Sequence, residues 1–177
     1  MADTKLSDLT ELSEAADDDL VYVVDTSGPA DRKMQVSNLL SRHYGSISVT
    51  GGVTPQAIPA TTWTKITQFT AEYSGPGTTA SHASDYLQLT NTGYYMVTLQ
   101  ASWLADAARN LDVAIYWNGA LYRKCTVTIG VFYMNVTFPV LLNASLATKN
   151  LEVYVYASDA VNLTITEAQL MAVQISS

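Results

Sequence analysis

The sequence predicts a mainly β protein, in which a small N-terminal αβ module is followed by a jelly-roll β-sandwich. Three observations carry this. From Thr61 onward, strand-length apolar segments recur between turn signals. Several of these segments alternate apolar and polar residues with a period of two, as a half-buried strand requires. Charge is also unevenly placed: residues 1–40 hold nine acids and three bases, a net of −6, whereas residues 41–177 hold seven acids and six bases, a net of −1. The reading is a module over 1–45, a linker over 46–59 and a sandwich over 60–177.

At 177 residues, 48% apolar and 14% charged, the chain suits one compact domain and a smaller part. A net charge of −7 repels phosphate backbones, which argues against a nucleic-acid partner. No apolar run approaches the roughly 20 residues of a bilayer span, and the first twenty residues are acidic and polar where a secretory signal is basic and then apolar. Neither membrane insertion nor export by that route is expected. Cys125 is the lone cysteine, and His43 and His82 are the two histidines, so neither an internal disulfide nor a metal-ligand spacing is available. No cofactor or metal is expected.

In KLSDLTELS, Leu6, Leu9 and Leu12 recur as one face of a helical turn, and Asp8 with Glu11 resembles an N-terminal capping pair. LVYVVD is a β-branched run of strand length, and the turn-prone TSGPAD joins it to a second short strand, RKMQV. Ser37 stands where an N-cap belongs, ahead of Leu39 and Leu40. Forty-odd residues with so little apolar area are marginal alone. The module is therefore either a cap on the main domain or a docking element for another protein. In the second case its contacts are Leu6, Leu9, Leu12, Val21, Tyr22, Val23, Val24, Leu39 and Leu40.

Gly51, Gly52, Pro55 and Pro59 discourage regular structure over Ser46 to Pro59, the expected linker. The sandwich segments follow: WTKITQFTAEY, a SGPGTT turn, DYLQL, NTG, YYMVTLQASW, LDVAIYW, ALYRKCTVTI, VFYMNVTFPVLL, LEVYVYA and QLMAVQI. After Gly93, Tyr95, Val97, Leu99, Ala101 and Trp103 share one face, opposed by Tyr94, Met96, Thr98, Gln100 and Ser102. Asn118-Gly119 between two such runs signals a type I′ hairpin, because both residues tolerate positive φ. Eight to ten such strands fit a jelly roll or a related Greek key.

The second face of these strands is poor in charge and rich in tyrosine and methionine. A solvated sandwich face normally carries Lys, Glu and Asp, whereas interface cores are depleted in charge and enriched in Tyr and Met. A homo-oligomer is expected, a closed ring of three by preference, with Tyr94, Met96, Tyr116, Tyr154 and Tyr156 at the contact.

Chemistry is sparse. His82 lies near Ser81, Ser84 and Asp85, but sequence neighbours seldom converge as nucleophile, base and acid. Asp17, Asp18 and Asp19 lack the alternating ligands and the bend-permitting glycine of a calcium loop. Arg123 and Lys124 precede Cys125 and could lower its pKa, although an alternating strand favours a half-buried structural thiol. Asn135, Asn143 and Asn162 open N-x-S/T triplets, read as ordinary residues of a β protein. No phosphate-binding loop or carboxylate pair is visible, and the chain is not expected to be an enzyme.

Two stretches resemble known families. The D-L-x-E-L opening, the acids Asp17 to Asp19 before a strand ending in Asp25, and Lys33 to Leu40 closing on N-L-L together resemble an N-terminal module of tailed-bacteriophage structural proteins, both fibres and head decoration or cement proteins. The resemblance implies attachment to the virion. From Leu87, L-x-x-T-N-T-G-Y-Y-M-V-T-L is similar to a strand of the TNF-like jelly rolls that include complement globular heads. The N-G hairpin and QLMAVQI resemble further parts of that family, although Thr148-Lys149-Asn150 stands where the family has G-D. That resemblance implies a trimer. Together they imply a capsid decoration protein on the virion surface, whose partners are the major capsid protein and its own copies. The alternative is a receptor-binding head or tail fibre tip that recognises a host surface saccharide or protein, with Trp63, Trp103 or Trp117 stacking on sugar rings.

Overall fold

The structure, a computed structural model, describes residues 20–23, 32–35, 43–130 and 134–176. The chain divides into two units, Met1–Ser41 and Arg42–Ser177. In the first, β1 (Leu20–Val23) pairs antiparallel with β2 (Arg32–Gln35), Leu20 opposite Gln35 and Val23 opposite Arg32. This is the expected hairpin. The leucine-bearing turn (Leu6, Leu9, Leu12), Val24 and the segment with Leu39 and Leu40 lie outside the described residues.

The second unit is a jelly-roll sandwich of two six-stranded antiparallel sheets. Its strands are β3 (Tyr44–Thr50), β4 (Pro55–Ile58), β5 (Thr64–Lys65), β6 (Ala71–Ser74), β7 (Thr78–Ser81), β8 (Tyr86–Leu89), β9 (Gly93–Ala105), β10 (Arg109–Trp117), β11 (Ala120–Ile129), β12 (Met134–Ala144), β13 (Lys149–Ala157) and β14 (Val161–Ser176). The front sheet runs β12-β9-β14-β3-β6, with β4 also on β14; the back sheet runs β11-β10-β13-β8-β7, with β5 also on β13. Period-two patterning explains the layers. Tyr95, Val97, Leu99, Leu142 and Leu170 of the front sheet meet Leu111, Val113, Ile115, Leu151 and Val155 of the back sheet in one buried core.

Asn118 (φ 54°) and Gly119 (φ 76°) make the expected turn between β10 and β11, with Trp117 paired to Ala120. Two expectations are corrected. Residues 46–59 are not a plain linker: Gly45, Ile47 and Val49 alternate inward along β3, which lies between β14 and β6. The stretch WTKITQFTAEY is not one strand. It crosses from back sheet to front sheet between β5 and β6, burying Ile66 and Phe69 on the way. Side chains replace the ladder there: Gln56 Oε1 accepts the Thr67 N–H at 3.1 Å, and Asp85 Oδ1 accepts the Phe69 N–H at 3.3 Å. A third difference is small: the SGPGTT segment is not all turn, since its Thr78 and Thr79 open β7, which pairs with β8.

Candidate functional site

The two sheets differ in what they turn outward. The front-sheet strands carry two charged residues, Glu72 and Glu167, and no base. The back-sheet strands carry Lys65, Arg109, Asp112, Arg123, Lys124, Lys149 and Glu152. The charge-poor surface expected for the whole sandwich thus belongs to the front sheet.

Cross-strand register assembles that surface row by row over β3, β14, β9 and β12. The rows are Tyr44, Val173, Met96 and Leu141; then Ser46, Met171, Thr98 and Pro139; then Ser48, Gln169, Gln100 and Thr137; then Thr50, Glu167, Ser102 and Asn135. The face grades from apolar to polar along the strands. At its apolar end the large side chains lie open, from 40% exposure for Met96 to 57% for Ile175. Tyr44 stacks on Tyr73 of β6 with ring centroids 5.0 Å apart, and its hydroxyl donates to the Tyr73 hydroxyl at 3.0 Å. At the polar end the sheet forms a shallow depression of about 640 Å³, lined in part by Ser48, Gln100, Ser102, Thr137 and Gln169.

Both termini of this unit meet at the apolar end. The Gln174 N–H donates to the His43 carbonyl at 2.7 Å, and the His43 ring bonds the Gln174 side chain while Asn91 Nδ2 lies 3.1 Å from its Nδ1. The chain thus enters the sandwich beside Tyr44. β12 is an edge strand with Pro139 at its centre. A proline there removes a backbone donor and discourages another strand from extending the sheet. Contact through this region is then made by faces and side chains, not by continued strand pairing.

The five residues expected at a subunit contact fall on opposite surfaces. Tyr94 and Met96 lie on the front face. Tyr116, Tyr154 and Tyr156 lie on the back sheet, gathered with Trp63. The sequence reading missed Tyr44, Tyr73, Leu141, Val173 and Ile175. Alternation through Ile47 and Val49 marks β3 as a strand, but only pairing brings Tyr44 to Tyr73.

The other candidates are dispersed. His82 Nδ1 pairs with Glu72 Oε2 at 2.9 Å, whereas the Asp85 carboxylate is buried against the Phe69 N–H. Asp85 and His82 thus have separate partners and do not form a relay. Bonds from His82, led by its backbone N–H, hold Glu72 below the ordinary carboxylate range, and burial pushes Asp85 above it. Burial and the nearby Asp112 raise the Cys125 thiol, opposite to the effect expected from Arg123 and Lys124. Trp103 is buried in the core and offers no ring to a ligand. Trp117 is partly buried and packed on the core. Val21, Tyr22 and Val23 lie in β1, and nothing described of them tests docking.

No family model matches the chain, and no curated protein matches it. Solved structures do. The fold is similar to Eiger TNF from S. frugiperda, at 11% identity and a TM-score of 0.53 over 75% of this chain and 93% of that one. It is equally similar to murine APRIL at pH 5.0, at 14% identity and a TM-score of 0.53 over 75% of this chain and 99% of that one. The PRD1 vertex protein P5 superposes at a TM-score of 0.42 with 16% identity, over 75% of this chain and 96% of that one. At these identities the likeness is one of fold, and the fold is the TNF-like jelly roll expected from the Gly93 strand and the N-G hairpin.

Proposed function

We propose that the chain is a capsid decoration protein of a bacteriophage, with an N-terminal module that docks on the shell and a jelly-roll knob made of three copies. The observation that carries the assembly is the front face, a sheet surface without a base whose apolar end is exposed on a single copy. Burying such a surface gains on the order of 25 cal/mol per Å² before ordering costs. Three copies closed around one axis would cover Met96, Leu141 and Val173 and leave no growing edge, since closed symmetry ends the assembly. The resemblance of the first forty residues to virion-attachment modules supports docking to the major capsid protein. Three associated copies would carry three modules linked to one knob. Each attachment can then be weak while the whole is firm.

Two measurements on purified protein and on heads lacking it test this. Sedimentation should show a trimer at micromolar concentration, and the full chain should co-sediment with the heads. A chain starting at residue 42 should remain trimeric and stay in the supernatant. A monomeric full chain removes the assembly, and undiminished capsid binding by the shortened chain removes the docking role.

A further inference from the structure

The front face leaves the back sheet's aromatic cluster without a role. Trp63 stands just before β5, Tyr116 on β10, and Tyr154 and Tyr156 on β13. Ring centroids are 5.9 Å apart for Trp63 and Tyr116, 5.4 Å for Trp63 and Tyr156, and 4.0 Å for Tyr116 and Tyr154. All four are half-buried, so part of each ring meets solvent. Ala114 shares this outward side of β10 and is fully buried, so neighbouring side chains lie over it. Among the described residues no hydrogen bond reaches the Tyr116, Tyr154 or Tyr156 hydroxyls or the Trp63 indole N–H.

Charge brackets the rings in balanced pairs. Register sets Lys65 opposite Tyr154, Glu152 opposite Tyr116 and Asp112 opposite Tyr156. Lys65 Nζ lies 2.5 Å from Glu152 Oε1, and Lys124 Nζ lies 2.5 Å from Asp112 Oδ2. The patch therefore offers apolar ring surface, free ring-borne donors, and fixed carboxylate and ammonium groups whose charges cancel.

We infer that this cluster binds an uncharged saccharide. The C–H face of a pyranose packs on tyrosine and tryptophan rings, while its hydroxyls reach both acceptors and donors at the rim. Balanced charge gives no pull on a phosphate or sulfate polymer. An apolar protein surface would have to desolvate two ion pairs to cover the rings, which is costly; a sugar brings its own hydroxyls to them. The site faces away from the front sheet, so it stays open whether or not copies associate there. If they do, three sites on one knob raise avidity.

The test uses the full chain and named probes: the methyl pyranosides of glucose, galactose, mannose and N-acetylglucosamine, and their β1→4-linked disaccharides. Saturation-transfer NMR should show transfer from aromatic protons to the ring C–H groups of at least one probe, and titration should give its affinity. Trp63→Ala and Tyr156→Ala should each weaken binding about tenfold, equivalent to about 1.4 kcal/mol, while Trp63→Phe should stay within about threefold because a ring face remains. Circular dichroism checks folding. Should the alanine variants fail to fold, Tyr116→Phe and Tyr154→Phe keep the rings, remove only hydroxyls, and should each weaken binding about threefold. Transfer to none of the probes overturns the inference, as does an affinity that Trp63→Ala and both phenylalanine variants leave unchanged. A Trp63→Ala protein that loses the trimer while Met96→Lys keeps it would make the cluster a contact between copies and would also overturn it. Loss of the trimer in the wild type alone would leave the sugar site standing.

Discussion

Replacing Met96 by lysine tests the front face directly. In a single copy Met96 is 40% exposed, so an ammonium there remains hydrated and should change stability by no more than about 0.5 kcal/mol. It stands in the row of Tyr44, Val173 and Leu141, which offers no carboxylate and which the proposed trimer would bury. The acid on this face, Glu167, pairs with Ser102, six residues farther along β9, or about 20 Å at 3.4 Å per residue. That separation exceeds twice the Debye length of about 8 Å at physiological salt, so Glu167 cannot compensate. Burial of an unpaired charge costs several kcal/mol. Even about 2 kcal/mol per copy amounts to about 6 kcal/mol per trimer, or more than four decades in the dissociation equilibrium. Sedimentation velocity at micromolar concentration should show Met96→Lys as a folded monomer. Leu121→Lys, on the back sheet's edge strand, should remain trimeric. A Met96→Lys protein that sediments like a trimeric wild type would refute the assignment of this face.

Three further outcomes follow from single side chains. Burial raises the Asp85 carboxyl, so its contribution to stability is fully present below the ordinary value of 3.8 and is lost as pH rises through the raised folded value. Asp85→Asn keeps an acceptor for the Phe69 N–H and tolerates the φ of 51°, so it should match the wild type in acid and melt higher at neutral pH; Asp85→Ala should cost about 2–4 kcal/mol at acid pH, where no charge relief offsets the loss. Asp112 shows the opposite sign, since bonds from Lys124 and then Thr126 lower its pKa. Its stabilisation is present above 3.8 and fades as pH falls through the lowered value, so the melting temperatures of wild type and Asp112→Asn should converge in strong acid. Gly77 adopts φ 72°, and an added Cβ would lie 2.6 Å from the His43 ring. Gly77→Ala should therefore cost about 2–4 kcal/mol in a denaturant titration, and a cost near zero would show that the ring moves freely.

Much of the fold was legible in the sequence because it is local. Alternation along 95–103, 111–117 and 151–155 names the buried side of each strand without knowledge of its neighbours, and Asn118-Gly119 specifies its own turn through positive φ. The charge-poor character of the strands was legible as composition. Which strands share it was not. Tyr94 and Tyr116 look alike in sequence, yet one joins a sheet with no base and the other joins a sheet with seven charged residues. Pairing between distant strands makes that choice, and no local signal encodes it. β3 carries a local signal in the alternation of Ile47 and Val49, but its glycine and serines read as a linker, and its place between β14 and β6 is set by pairing. Pairing also hid the crossing after Lys65, where Gln56 and Asp85 take over backbone bonds that a strand would have made with a neighbour. The sequence by itself determined inside from outside along each strand, because side-chain period is a property of one strand. The tertiary structure decided which outsides lie together, because that depends on partners as much as 131 residues apart, as at His43 and Gln174.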